Sequence, residues 1–188
     1  MPDRFAYVFW HWPRPEISRD SYEAKLASFL RALSEDRRSG IVESLSYRVQ
    51  TLPWGPQGAS LYEDWYVVES FSALGALNDA AVSGAVQSPH DEIAKDYMKG
   101  AGGIFKSIKG DTLREARFVT WVEKPIGPSY QSYYDEVAGL TAGKSSDLWR
   151  RQMVLGPSPQ FCIHSGEPLG LPANLRPFST KIERIGPG

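Results

Sequence analysis

The chain has 188 residues, and its 21 lysines and arginines almost balance its 22 aspartates and glutamates, which leaves a formal charge of -1. Hydrophobic residues make up 41% and aromatic residues 12%, a composition typical of a globular protein with a substantial core. This balance gives no electrostatic reason to expect a nucleic-acid partner. Because Cys162 is the single cysteine, neither an internal disulfide nor a cysteine-based zinc site can form.

The sequence predicts no membrane segment. No stretch approaches the roughly 20 apolar residues that a membrane-spanning helix requires. The segment 1–5 lacks the apolar run of a secretory signal peptide. Together with the lone cysteine, these features predict a cytoplasmic protein that contacts no membrane.

The first 110 residues alternate between strand-like and helix-like patterns. In chain order, the predicted elements are a strand at 5–10, a helix at 18–33, strands at 41–52 and 61–71, helices at 73–83 and 89–99, and a strand at 104–109. Pro89 is expected to open the last helix, and Gly100, Gly102 and Gly103 are expected to end it. The order β-α-β-β-α-β is that of a ferredoxin-like unit.

The second half repeats this order in shortened form. Its predicted elements are a strand at 117–122, a helix at 129–140, a strand at 148–155, a short strand around His164 and a last strand at 178–183. Five short matching segments occur in the same order in both halves, which predicts an internal duplication with repeats 1–112 and 113–188. A short Pro- and Gly-rich segment, 165–176, stands where the first repeat has 72–103. The second repeat should therefore lack most of its second helix, so its cleft should be more open or filled by a loop.

Both faces of the central strands are apolar. Trp65 and Val67 alternate with Tyr66 and Val68, so each face of the 61–71 strand needs a cover. Helices cover one face of a ferredoxin-like sheet, and two fused units can cover each other's second face.

The predicted arrangement of two fused ferredoxin-like units resembles that of the dimeric α/β-barrel superfamily. The segments that carry the resemblance best are 65–74, 89–94 and 100–105. The resemblance implies an α+β fold in which two tandem ferredoxin-like repeats pack sheet to sheet as a barrel complete within one chain. That superfamily includes EthD-like proteins, antibiotic-biosynthesis monooxygenases that use no cofactor, muconolactone isomerases, haem-binding chlorite dismutase relatives and stress-responsive barrels. The resemblance does not single out one of these families.

Three residues are candidates for catalysis. His11 lies at the end of the first strand, where a general acid or base can work near neutral pH; the alternative is a half-exposed structural histidine. Arg48 could stabilise negative charge on a carboxylate or phenolate, or pair structurally with Glu69 on the neighbouring strand. Glu69 is a candidate base if its side of the sheet is covered.

A second group of residues could bind an aromatic ligand or simply form the core. The group comprises Trp10, Trp12, Trp54, Trp65, Tyr66 and His90. In haem-binding relatives a helix histidine is the iron ligand, and the resemblance makes His90 the candidate here. Its alternative role is that of a helix N-terminal residue with local hydrogen bonds. The three histidines form no HxH or HxxxH pair, so no metal site is expected.

The sequence therefore predicts an enzyme without a cofactor that acts on a small hydrophobic or aromatic molecule. Oxygenase, isomerase and dehydratase reactions all remain open, with His11 moving a proton and Arg48 stabilising charge. The alternatives are a ligand-binding or stress-associated barrel without catalysis, and a haem protein that uses His90.

Overall fold

The structure is a computed structural model that describes residues 4–36, 40–153 and 155–186. Within those residues the strands are β1 (Phe5–Pro13), β2 (Ile41–Val49), β3 (Leu61–Val68), β4 (Tyr97–Lys109), β5 (Phe118–Val122), β6 (Leu148–Gln152), β7 (Phe161–Ser165) and β8 (Phe178–Ile185). The α-helices are α1 (Arg19–Glu35), α2 (Ala73–Ala81), α3 (Gly84–Ala94) and α4 (Tyr130–Leu140). None of the described helices is both long and apolar enough to cross a membrane.

The strands form one closed antiparallel barrel in the order β1-β3-β2-β8-β5-β7-β6-β4. The first half contributes β4-β1-β3-β2 and the second contributes β8-β5-β7-β6, so the two halves use the same strand order. They join where β2 pairs with β8 and where β4 pairs with β6. The predicted α+β fold class and the barrel complete within one chain are confirmed. The division into repeats 1–112 and 113–188 remains a prediction.

The interior of the barrel is filled with aromatic side chains. Trp65 meets Trp149 at a ring-centroid distance of 5.2 Å, and Trp10 meets Trp121 at 5.5 Å, both edge to face. Trp12 lies in the same cluster, and the partly buried Trp54 packs against it. These four predicted ligand-binding tryptophans (Trp10, Trp12, Trp54, Trp65) therefore belong to the barrel core, which was the structural alternative.

A chain of polar groups crosses this aromatic interior. Glu63 on β3 is fully buried, and its carboxylate accepts hydrogen bonds from Trp10 Nε1 at 2.7 Å and Trp65 Nε1 at 2.6 Å. Nε2 of His164 lies 3.9 Å from Glu63 Oε1, and its Nδ1 lies 3.0 Å from Asp147 Oδ1. Asp147 also accepts the backbone N–H of His164. The three ionisable groups thus link β3 to β7 and to the residue that precedes β6, across the barrel.

The helix predicted at 89–99 was wrong in its limits. The structure has α3 at Gly84–Ala94, with Pro89 inside the helix instead of at its start. The chain then enters β4, so His90 lies in mid-helix and not in the first turn.

The glycines expected to end that helix lie within β4. A Cβ added at Gly100 would stand 2.4 Å from the Phe9 ring, and one added at Gly102 would stand 2.7 Å from the Tyr7 ring. These glycines therefore leave room for the aromatic side chains of β1. Smaller differences concern strand ends: β1 runs on to Pro13, whereas β2, β3 and β6 stop earlier than predicted.

Among the described residues between β7 and β8 there is no α-helix, so the second half has no counterpart of α2 and α3 there, as predicted. After β7 it has a loop with a short 3-10 turn at Ala173–Leu175. Leu169 and Leu175 of this loop are buried in the cluster that contains Tyr133 and Phe161, between α4 and the sheet. The loop thus fills the second cleft, the second of the two predicted outcomes.

Glu63→Ala should destabilise the protein by about 3 kcal/mol or more, because two buried indole N–H groups would lose their acceptor and His164 would lose a charge partner. Glu63→Gln keeps one acceptor oxygen, so its loss should be smaller. Urea unfolding curves of the three proteins measure the difference. An alanine variant within 1 kcal/mol of the wild type would contradict the central role of Glu63.

Stability should also depend on pH through His164. Burial lowers the pKa of His164, but the charge and hydrogen bond of Asp147, together with Glu63, outweigh burial and raise the pKa to about 9. An unfolded histidine has a pKa of about 6.5. The stabilisation is therefore complete below about pH 6.5 and is lost as the pH rises through about 9.

A variant of His164 tests this pH dependence directly. Tyr47 and Cys162 also face this interior, and burial holds the pKa of each well above its usual value, so both stay protonated in this interval. The free energy of unfolding, measured from pH 6 to 9.5, should fall more steeply for the wild type than for His164→Gln. Parallel curves would show that His164 is not charged in the folded protein.

Candidate active site

A cavity of about 400 Å³ lies outside the barrel, between β1, β3 and β4 on one side and α1, α2 and α3 on the other. Its volume is within the range of small-molecule sites. The walls are mostly apolar and aromatic, and the polar groups gather on the sheet side. Among the lining residues are Tyr7, Phe9, Phe29, Leu77, Ile93 and Tyr97.

The strand pairing of β1 and β3 brings two ionisable side chains together on this floor. His11 stands opposite Tyr62, and Phe9 stands opposite Asp64, so His11 and Asp64 are diagonal neighbours. Both point away from the barrel interior because their neighbours Trp10 and Glu63 point into it. Their side chains are only 2% and 3% exposed.

Two tyrosines complete the group. His11 Nε2 lies 3.0 Å from Asp64 Oδ2, and the hydroxyl of Tyr66 donates to the same oxygen at 2.8 Å. The hydroxyl of Tyr22, on α1, lies 2.5 Å from His11 Nδ1. The Nε2–Oδ2 contact is close but not aligned for a hydrogen bond, so His11 Nε2 and Asp64 Oδ1 both lack hydrogen-bond partners.

These contacts define the tautomer of His11. Burial and the charge of Asp64 raise the pKa of Tyr22, so this hydroxyl keeps its proton and donates it to Nδ1. The adjacent carboxylate favours a proton on Nε2. A neutral His11 therefore carries its hydrogen on Nε2, an assignment that follows from the partners of the ring.

The His11 ring is held between two other rings. Phe9 stacks on it at 5.1 Å and Tyr62 at 5.5 Å, with interplanar angles of 16° and 18°. His11 is therefore buried instead of half-exposed, and it lies between two aromatic rings, a setting that suits a structural histidine as well as a catalytic one. His11 and Asp64 line the floor of the cavity, and just beneath its surface they place a hydrogen-bond donor, Nε2–H, beside a carboxylate acceptor, Oδ1. Such a pair can act as acid and base on one substrate.

The structure places three of the predicted site residues at this cavity. His11 and Tyr66 belong to the floor, and His90 lines the wall from α3. His90 Nδ1 lies 3.2 Å from Asp91 Oδ1, and its ring meets Phe29 edge to face. The functional roles of all three remain predictions.

Arg48 and Glu69 are not brought into this group. Arg48 binds Glu23 of α1 at 2.9 Å and Glu183 of β8 at 2.5 Å, so the predicted pair with Glu69 was wrong. The barrel places β8 beside β2, which the sequence order did not reveal. Glu69 lies just past the end of β3 and is exposed, so its side of the sheet is not covered there.

Sequence reasoning missed Asp64 and Tyr22. A signal for Asp64 was available, because Glu63 and Asp64 interrupt a strand whose other residues are aromatic or aliphatic. Carboxylates buried on both faces of such a strand must find partners. No comparable signal in the sequence marked Tyr22 as a site residue, since it occupies one of the regularly spaced buried positions of α1.

The haem alternative does not match the lining of this cavity. Among the described residues that line it there is no lysine or arginine to pair with the propionates of a porphyrin, and Asp64 adds a negative charge. Nor do the described residues contain a group of three or more histidine, cysteine, aspartate or glutamate side chains arranged to hold a metal ion. The side chains that surround the cavity therefore do not fit a haem group.

Comparisons with known proteins show the fold. No family model matches the chain, and no curated protein sequence is significantly similar. A putative monooxygenase from Lactobacillus acidophilus NCFM aligns with a TM-score of 0.56 at 8% identity, covering 96% of this chain and 93% of that one.

Two further structures align over nearly the whole chain. An anthrone oxidase-like protein gives a TM-score of 0.51 at 10% identity, covering 98% of this chain and 92% of that one. An arginine-to-alanine mutant of chlorite dismutase from Candidatus Nitrospira defluvii gives 0.50 at 10% identity, covering 99% and 92%. The predicted resemblance to dimeric α/β-barrel proteins is thus confirmed as a likeness of fold.

Tyr22→Phe should change the tautomer of His11 without changing the packing of α1. The variant loses only the hydroxyl that donates to Nδ1, at a cost of about 1 kcal/mol in stability. Nitrogen NMR of the histidine rings should show one tautomer, with hydrogen on Nε2, in the wild type and a mixture in the variant. His90 is the internal reference. An unchanged His11 signal would contradict the role given to Tyr22.

Proposed function

We propose that the protein is an enzyme that enolises a small, apolar carbonyl compound in the cavity beneath α1, α2 and α3. The observation that carries this proposal is the pair of unpartnered atoms on the buried floor, His11 Nε2 and Asp64 Oδ1. Leaving such groups without partners costs free energy, and a substrate that pairs with both after a small movement of these buried side chains would recover it.

The proposed reaction begins when the substrate carbonyl oxygen accepts a hydrogen bond from His11 Nε2–H. This bond makes the adjacent C–H more acidic, and Asp64 Oδ1 takes that proton. The C–H electron pair becomes the C=C bond of the enolate, the C=O π pair moves onto oxygen, and Nε2–H stabilises the charge that develops there. If the substrate has a conjugated C=C bond, return of the proton from Asp64 to its far carbon completes an isomerisation. If the neighbouring carbon bears a hydroxyl, transfer of that proton from Asp64 to the hydroxyl lets it leave as water and completes a dehydration.

The surrounding residues prepare this step. Tyr66 holds Oδ2 of Asp64, which leaves Oδ1 for the substrate, and Tyr22 keeps Nδ1 of His11 occupied. The apolar and aromatic walls lower the polarity around the floor, so hydrogen bonds to the developing charge are stronger there than in solution. A buried carboxylate base beside a hydrogen-bond donor is a known arrangement for enolisation.

This proposal keeps the isomerase and dehydratase reactions expected from the sequence but assigns the roles differently. Asp64 is the base, and His11 is the donor to oxygen. Arg48 and Glu69 have no part in it, since Arg48 pairs with Glu23 and Glu183 and Glu69 is exposed.

Oxygenation without a cofactor is the second candidate. Two of the similar structures are described as a putative monooxygenase and an anthrone oxidase-like protein. Such an oxidation would begin with the same removal of a proton, because the enolate is the species that reacts with O2. Consumption of O2 during turnover distinguishes it from isomerisation.

The test is hydrogen–deuterium exchange at the carbon next to the carbonyl of 2-tetralone, a small enolisable ketone, followed by proton NMR in deuterium oxide. The wild type should accelerate exchange, and Asp64→Asn should lower the enzymatic rate by at least about 100-fold, the contribution typical of a general base. Asp135→Asn, which changes an exposed carboxylate on α4, is the matched control and should exchange at the wild-type rate.

Two outcomes would count against the proposal. Equal rates for the wild type and Asp64→Asn would remove Asp64 as the base. Tight binding of the ketone with no acceleration by the wild type would favour the non-catalytic ligand-binding barrel.

A further inference from the structure

We infer that the cavity selects its substrate by charge: it takes an uncharged ring compound and rejects a carboxylate or phosphate of the same shape. This inference rests on the proposed function, because it concerns the substrate of the same site. It follows from three parts of the cavity: the floor on the side of β1, β3 and β4, the walls on the side of the helices, and the rim at the opening.

The floor carries no net positive charge. With Asp64 ionised, the His11–Asp64 pair has a net charge of -1 when His11 is neutral and of zero when His11 is protonated. The hydroxyls of Tyr22 and Tyr66 already donate, Tyr22 to His11 and Tyr66 to Asp64. An anion placed there would meet the Asp64 carboxylate, and the hydroxyl of Tyr7, which also lines the cavity, carries no positive charge to offset the repulsion.

The walls supply no compensating charge. None of the described residues that line the cavity is a lysine or an arginine. Two basic residues of α1 and of the loop before it are paired with a carboxylate: Lys25 binds Asp96 at 2.5 Å, and Arg14 approaches the same carboxylate at 4.0 Å. Arg48 is likewise held by Glu23 and Glu183.

The remaining polar side chains on the helix side and at the opening are His90, Asn78 and Tyr97, none of which is a lysine or an arginine. His90 lies beside Asp91, so even its protonated form would be balanced by a neighbouring carboxylate. Val82 and Tyr97 line the opening and are 49% and 43% exposed. An anion that entered would lose its hydration without gaining a lysine or arginine as a partner, whereas an uncharged ring would gain contacts with the aromatic walls.

The size of the cavity further limits the class of substrate. A volume of about 400 Å³ is near the lower end of the usual range for ligand sites. It suits one ring or two fused rings better than a nucleotide-bearing thioester. The expected substrate is therefore a compact, uncharged cyclic carbonyl compound.

The experiment compares three ligands that share one ring system and differ in charge at neutral pH. They are the uncharged 2-tetralone, the cation of 2-aminotetralin and the anion tetralin-2-carboxylate. Dissociation constants are measured by NMR titration with the full chain. The wild type should bind the ketone at least about 10-fold more tightly than the carboxylate, a ratio equal to about 1.4 kcal/mol, and it should bind the amine no less tightly than the ketone.

Asp64→Asn removes the charge and keeps the shape of the floor. In this variant the preference for ketone over carboxylate should fall below about 3-fold, and the amine should lose affinity. Asp135→Asn, the control on α4, should retain the wild-type preference. Circular dichroism and thermal unfolding confirm that each variant is folded.

Three results would overturn the inference: a carboxylate that binds the wild type as tightly as the ketone, a preference that persists in Asp64→Asn, or the absence of binding by all three ligands. Failure of the proposed function gives a different pattern. Charge-selective binding without hydrogen exchange would refute catalysis and leave the charge selection in place.

Discussion

Two consecutive buried carboxylates, Glu63 and Asp64, organise both sides of the barrel wall. They occupy the middle of β3, a strand in which every residue is buried. Because successive residues of a strand point to opposite faces, Glu63 enters the barrel and Asp64 enters the space beneath the helices. A carboxylate in either place is costly unless it is paired, so each requires its own set of donors.

The two sets of donors have different consequences. Inside, Glu63 is paired with two indole N–H groups and His164, which stabilises the aromatic interior. Outside, Asp64 has one oxygen held by Tyr66 and approached by His11, while the other has no partner. The inner carboxylate is thus suited to holding the barrel together, and the outer one to meeting a ligand.

The unequal halves explain why the candidate site lies where it does. In the first half α2 and α3 form a roof that stands away from the sheet and leaves the cavity of about 400 Å³. In the second half Leu169 and Leu175 of the loop fill the corresponding space against Tyr133. One half therefore offers a ligand-sized space over its sheet, while the other supplies the strands that close the barrel.

The sequence by itself determined the order of the elements, the missing second helix and the apolar character of both sheet faces, because periodicity and turn residues are local properties of the chain. It also singled out His11, whose position at the end of β1 is a local property. Only the tertiary structure decided its partners: Asp64 reaches it through the register of β1 and β3, and Tyr22 through the docking of α1. The partner of Arg48 was decided in the same way, since barrel closure, and not sequence proximity, sets Glu183 beside it.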